Sequence, residues 1–181
     1  MRIVSGYYKG RRIILPSHIN IRPTTDFAKE SLFNIINNRM DFEGLDVLDL
    51  FSGTGSISYE FASRGVREVV AVENNFKCVS FIKQNLDVLK INTVKLIRMS
   101  VHEYIQKSQR TFDVVFADPP YDMPHLDRLP DELLSRKLLK PEGFFILEHG
   151  VSNNFSQHPL FFEKRVYGSV NFSFFKPSDE S

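Results

Sequence analysis

The residues best suited to chemistry are two acids around a glycine turn and a short acid–proline–aromatic motif. Asp49 closes the apolar run Val47-Leu48 and is followed by Leu50-Phe51-Ser52-Gly53-Thr54-Gly55. Glu73 closes the next run, Val69-Val70-Ala71-Val72, about 20 residues beyond the glycines. A strand, a Gly-x-Gly turn and a helix make the entrance of a nucleotide site in a doubly wound fold. The dinucleotide fingerprint needs a third glycine, and position 58 is Ser58. A carboxylate at Asp49 would repel a pyrophosphate and attract the ammonium group of S-adenosylmethionine. Glu73 suits a pair of hydrogen bonds from ribose hydroxyls. By itself Gly-x-Gly is an ordinary strand-to-helix turn. The two acids favour S-adenosyl-L-methionine as ligand.

The second motif, Asp118-Pro119-Pro120-Tyr121, directly follows the apolar run Val114-Val115-Phe116-Ala117. In an open parallel sheet, ligands bind beyond the carboxyl ends of the strands, near the reversal of strand order. Asp118 is therefore expected to face the same crevice as Asp49. Such a motif suits an exocyclic amine on a nucleobase, whose lone pair is delocalised into the ring. Asp118 and the Pro119 carbonyl would accept its two hydrogens, and the rigid Pro-Pro backbone would aim the second acceptor. Tyr121 offers an aromatic face for an extruded base. The competing reading is a plain turn after a strand, since Asp-Pro starts many turns.

Positioning these residues requires a parallel sheet, and the pattern supplies one. Strands are expected at 46–51, 68–73, 94–98, 112–117 and 144–148, with helices at 54–64, 75–90, 101–108 and 131–139. Two last strands, 161–167 and 170–175, turn at Gly168-Ser169 and give an antiparallel edge hairpin. Near the amino terminus, residues 2–5 and 11–15 read as two short strands, followed by a loop over 19–24. A helix from Thr25 or Asp26 to about Asn38 should bury Phe27, Leu32, Phe33, Ile35 and Ile36 and expose Lys29 and Arg39.

Composition narrows the class. The 181 residues are 42% hydrophobic with 17 Phe, enough for one domain with a sizeable core. Net charge is +1, but Arg2, Lys9, Arg11, Arg12 and Arg22 all precede Asp26, the first acid. A basic amino-terminal segment on a mildly acidic body suggests a polyanionic partner, although a solvated basic strand pair would look the same. Cys78 is the single cysteine, so no internal disulfide or multi-cysteine metal site is expected. No signal peptide or membrane-spanning run stands out, and a soluble cytoplasmic protein with a frayed 176–181 tail is expected.

Asp-Pro-Pro-Tyr after the fourth strand resembles the amino-methyltransferases of adenine, cytosine or guanine. With Arg2-Ile3-Val4-Ser5-Gly6, Lys9-Gly10-Arg11, Arg22-Pro23-Thr24-Thr25-Asp26 and Leu32-Phe33-Asn34, the chain resembles the bacterial 16S rRNA guanine-N2 methyltransferase family acting on guanine 966. The order of motifs is similar from Arg2 to about Gly168. The resemblance implies a Rossmann-like α/β methyltransferase domain, 25–181, with a mostly parallel seven-stranded sheet. It also implies an RNA-binding β-hairpin extension, 1–24. Asp49, Phe51, Gly53, Gly55, Glu73, Asn74, Ser100, Val101 and Asp118 would line the S-adenosyl-L-methionine site. Asp118, Pro119 and Tyr121 would be catalytic, and Arg2, Lys9, Arg11, Arg12, Arg22 and Thr24 would meet RNA. The implied partner is 16S rRNA, free or in an assembling small ribosomal subunit. The protein would act as a monomer in the cytoplasm, with neither metal nor membrane. One departure is Ser100, where methyltransferases often carry an acid for the adenine amino group. The Val101 N–H would be the other candidate for holding adenine.

Other readings are adenine N6 methylation, which only the amino-terminal motifs oppose, and an RNA-binding module that has lost catalysis, which intact Asp49, Glu73 and Asp118 oppose. A nicotinamide oxidoreductase conflicts with Ser58 and Asp49.

Overall fold

The structure is a computed structural model that describes residues 1–17, 19 and 25–177. Arg22 and Thr24, most of the expected 19–24 loop and the tail beyond 177 lie outside the described residues. The apolar runs form β1 (Asp46–Leu50), β2 (Glu68–Glu73), β3 (Val94–Arg98), β4 (Phe112–Ala117), β5 (Leu139–His149), β6 (Phe161–Tyr167) and β7 (Val170–Phe175). They make one sheet in the order β3-β2-β1-β4-β5-β7-β6. The first five strands are parallel, and β7 runs antiparallel to both β5 and β6. The order reverses between β1 and β4, as in a Rossmann-like α/β fold.

Alternation along the strands divides the core. Val47, Val69, Val114, Phe116 and Ile146 point to one face, covered by α1 (Asp26–Asn37), α2 (Ser56–Ser63) and α3 (Phe76–Leu89). Leu48, Leu50, Val115, Ala117 and Leu147 point to the other, covered by α4 (Val101–Lys107) and α5 (Leu129–Ser135). Both faces are buried, so the central strands read as continuous apolar runs.

Helix α1 departs from expectation in two side chains. Phe27 is 67% exposed and Lys29 only 1% exposed. Position 29 precedes Leu32 by three residues and Phe33 by four, so helical spacing places it on the buried stripe. The Lys29 ammonium donates to Arg2 O at 2.5 Å and to Ser56 Oγ at 3.3 Å, and lies 3.9 Å from Glu60. Burial lowers its pKa, and the charge of Glu60 only partly opposes this.

The two amino-terminal strands reduce to a single antiparallel bridge, Arg2 to Arg12. The reason is that α2 takes the backbone donors. Val4 N–H and Ser5 N–H donate to the Glu60 carboxylate at 2.8 and 3.0 Å, Tyr7 N–H to Ser63 O at 2.7 Å, and Tyr8 N–H to Ser63 Oγ at 2.9 Å. Gly6 permits this docking: its φ is +80°, and a Cβ there would sit 1.8 Å from Ser63 O. The segment thus runs along α2, with Met1 beside Thr54 and Tyr8 at Ser63. Ile3 and Ile13 enter the α1–α2 core.

Two further boundaries differ. The expected helix 131–139 is α5, Leu129–Ser135, after a 3-10 turn at Leu126–Arg128. Pro130 falls in the first turn, where a missing N–H is harmless. Lys137, at φ +53°, turns the chain away, so Leu139 belongs to β5. The strand begins five residues earlier than expected and passes through Pro141, where β4–β5 pairing shifts register between Phe112 and Val114.

Glu60 is the buried acceptor for the hairpin backbone and also pairs with Arg64 at 3.1 Å. Glu60→Ala is expected to destabilise the protein by about 3–5 kcal/mol in denaturant unfolding, because it leaves the buried Lys29 ammonium with only the exposed Asp26 at 4.0 Å as a counter-charge. Amide exchange at Val4 and Ser5 should accelerate in the same variant.

Candidate active site

The loop after β1 is built from three left-handed residues: Phe51 at φ +59°, Gly53 at +55° and Gly55 at +80°. A non-glycine residue there is strained, which marks Phe51 as a position held by its surroundings. At Gly55 a Cβ would lie 2.8 Å from the Tyr59 ring, so this glycine is needed for the packing of α2. Glu73, at the end of β2, ties the loop down. Its carboxylate accepts from Gly53 N–H at 2.7 Å and from Asn75 N–H at 2.8 Å. Asn74 between them is exposed.

Asp49 lies fully inside, beneath that loop. Ser58 Oγ donates to Asp49 Oδ2, and Ser52 Oγ donates to the Asp49 carbonyl at 2.8 Å. Ser58, where the dinucleotide fingerprint has glycine, is therefore the partner of the acid. Burial pushes the Asp49 carboxyl up to about 7. The serine hydroxyls pull it back, and the charge of Glu73 adds to the rise.

Register brings Asp118 to the same place. Asp49 pairs with Phe116 and Leu50 with Ala117, and Asp118 N–H donates to Leu50 O at 3.4 Å. Strand alternation puts Asp49 and Asp118 on one face. Burial raises the Asp118 carboxyl well above the usual range, and the charges of Glu148 and Asp49 raise it further. Glu148, near the end of β5, was not singled out in the sequence. Its carboxyl is raised to about 7 by burial, against a hydrogen bond from the Tyr121 hydroxyl at 3.0 Å. The rule that singled out Asp49 and Glu73, an acid at the carboxyl end of a strand, also fits Glu148.

Ser100 caps α4, its hydroxyl accepting from Glu103 N–H at 3.2 Å. Val101 is the first residue of that helix, where an N–H has no intrahelical partner. Arg2, Lys9, Arg11 and Arg12 are exposed on the amino-terminal segment. They divide along α2. Arg2 and Arg12 bridge beside its first turn, near the glycine loop, whereas the Lys9–Gly10 turn lies at its far end. Arg2 also pairs with Asp26 at 3.3 Å. A surface depression lined by Arg128, Asp131, Glu132 and His158 sits against α5, on the other side of the sheet from the three carboxyls.

These features meet a clear likeness to known proteins. The profile of the family described as conserved hypothetical protein 95 matches residues 1–176. The chain is 34% identical over 153 residues to a putative rRNA methyltransferase of Bacillus subtilis, spanning 82% of each. It is 32% identical over 148 residues to ribosomal RNA small subunit methyltransferase D of Buchnera aphidicola, spanning 82% of this chain and 75% of that one. The chain belongs to the small-subunit rRNA methyltransferase D family. Among solved structures, a hypothetical protein of Thermus thermophilus superposes with TM-score 0.86 at 28% identity, covering 97% of this chain and 99% of that one. A putative methyltransferase of Escherichia coli superposes with TM-score 0.84 at 24% identity over 98% of both and attests the fold.

Three raised carboxyls give the ligand-free protein a characteristic pH dependence. Each keeps its proton to higher pH in the folded state than in the unfolded chain, so stability falls as pH rises above about 4, and for Asp49 and Glu148 the fall runs to about 7. His149, lowered by burial, contributes one opposite increment. Thermal unfolding without ligand should therefore give a melting temperature that declines across this window, and Asp49→Asn should flatten the decline.

Proposed function

We propose that this chain transfers a methyl group from S-adenosylmethionine to the exocyclic N2 of a guanine in small-subunit rRNA, guanine 966 by family likeness. The observation that carries the reading is the convergence of Asp118-Pro119-Pro120-Tyr121 with the Asp49 loop at the reversal of strand order. The names borne by relatives in Bacillus and Buchnera support the rRNA substrate.

The donor set fits the cofactor. Asp49 is a buried carboxyl whose side-chain partner is a neutral hydroxyl, which suits an incoming ammonium group. Glu73 retains acceptor capacity for ribose hydroxyls beyond its two backbone donors. Val101 N–H and the Ser100 hydroxyl are the groups available to adenine. When bound, S-adenosylmethionine supplies an electrophilic methyl: the sulfur keeps the C–S bonding pair, the amine nitrogen forms the new bond, and that nitrogen sheds one proton.

The chain's own residues act on the amine. Asp118 accepts one N2 hydrogen and the Pro119 carbonyl the other, turning the lone pair toward the methyl. The positive charge of the cofactor would favour the ionised form of the raised Asp118 carboxyl, and in that form Asp118 favours the positive charge that develops on nitrogen. Tyr121 stacks on the base. The amino-terminal segment is the RNA grip: Arg2, Lys9, Arg11 and Arg12 meet phosphates, and the family resemblance adds Arg22 and Thr24 to the RNA-binding residues. A base in a loop or bulge is the natural target, because pairing occupies the N2 amine.

Two experiments test this reading. In single-turnover transfer to small-subunit rRNA at saturating cofactor, Asp118→Asn should lose much of the rate and Asp118→Ala more, with cofactor affinity near wild type. Asp49→Ala should instead weaken S-adenosylmethionine binding in calorimetry. Wild-type rates in Asp118→Ala would remove Asp118 from the mechanism. Secondly, Arg11→Glu with Arg12→Glu should raise the RNA dissociation constant and flatten its salt dependence. Unchanged RNA affinity would show that this segment is not the grip.

A further inference from the structure

Glu148 carries a feature that methyl transfer by Asp118 and Pro119 does not use. It is 4% exposed, at the carboxyl end of an interior strand. Its Oε1 accepts from the Tyr121 hydroxyl at 3.0 Å, whereas the buried Oε2 has no hydrogen-bond partner among the described residues. A buried carboxylate oxygen without a donor is costly and calls for an explanation. The neighbouring His149 does not provide one. Its Nδ1 lies 2.8 Å from Gly150 O and its Nε2 2.8 Å from Ser173 Oγ, so both ring nitrogens are engaged elsewhere.

The position of Glu148 links it to the amine site. Ala117 pairs with Leu147 across the parallel β4–β5 ladder, so Asp118 and Glu148 leave the two strands side by side. Alternation gives their side chains one face, and Asp118 feels the charge of Glu148 more than that of Asp49. Tyr121 closes over the same spot. Its ring lies where a Cβ at Gly150 would come within 3.0 Å, so the glycine after His149 makes room for it. The proposed stacking residue thus also holds Glu148 through its hydroxyl.

Once ionised, a form that a cationic cofactor and N–H donors favour at these raised carboxyls, two adjacent carboxylates accept two adjacent donors. Guanine offers that pair on its pairing edge, N1–H beside the N2 amine. Adenine offers an amine beside the N1 lone pair, which would face a carboxylate oxygen with no hydrogen between them. Resting on the guanine-N2 reading above, we propose that Glu148 Oε2 accepts a hydrogen bond from N1–H of the target guanine, while Asp118 accepts from its N2 amine. Glu148 is then the residue that selects guanine, and Tyr121 is its positioning residue.

The test uses the full chain, saturating S-adenosylmethionine, and small-subunit rRNA in which the target is guanosine or 2-aminopurine riboside. The analogue keeps the 2-amine and lacks N1–H. Wild type should methylate guanosine at least ~100-fold faster, since a site built for a donor rejects an analogue without it. In Glu148→Gln the guanosine rate should fall and the ratio should collapse to within ~10-fold, because the amide can rotate to donate to the unprotonated N1. Tyr121→Phe should reduce the ratio by less. A Glu148→Gln ratio equal to that of wild type overturns the proposal. So does equal methylation of both bases by wild type, a result that requires no variant to fold. Absence of N2-methylguanosine with wild type would instead sink the guanine-N2 reading, and this inference with it.

Discussion

Three carboxyl groups crowd one end of the sheet: burial raises the pKa of Asp49, Asp118 and Glu148, and at the half-buried Asp118 the charges of the other two add to the rise. Asp49, Asp118 and Glu148 sit on adjacent strands, β1, β4 and β5, and the parallel register leaves them no room to avoid one another. A carboxylate in such a place costs folding free energy unless it is protonated, hydrogen-bonded or met by a cation. The remaining structure supports that arrangement. The two apolar cores on either side of the sheet stabilise strands that end in acids. Ser58 relieves part of the Asp49 burden, and Tyr121 part of that at Glu148. A cation and N–H donors brought to this end of the sheet would offset that cost.

The parallel part of the fold was legible because burial on both faces leaves an unbroken apolar signature. β2, β3, β4 and the closing hairpin fall within the expected limits. The failures came from letting residue type overrule spacing. Lys29 was expected outside because it is a lysine, and Phe27 inside because it is a phenylalanine. The 3.6-residue period predicted the opposite for both, and the period was right. Pro130 and Pro141 misled in a related way. Proline lacks a backbone donor and fixes φ, and both sites tolerate this: the first lies in an opening helical turn, the second at a register shift.

Long-range partners were not legible. Nothing local to Val4 or Ser5 announces that their N–H groups will be taken by a glutamate 56 and 55 residues away, which is why two expected strands became one bridge. Glu148 ends a strand as Asp49 and Glu73 do, so its place was legible in the sequence, but its partner was not. Its significance comes from standing beside Asp118, and adjacency of β4 and β5 is a property of the sheet.

The placement of β7 between β5 and β6 has a consequence for how the chain is made. β6 leaves the ribosome before β7, yet it has no seat until β7 has paired with β5. Until then β5, the strand that ends in Glu148 and His149, presents an open apolar edge to whatever lies nearby, which is the usual template for mispairing. The hairpin therefore acts as a closing clasp during synthesis. A nascent chain halted within β7 would carry all five parallel strands, the glycine loop and Asp118, and would still be the form most prone to aggregate.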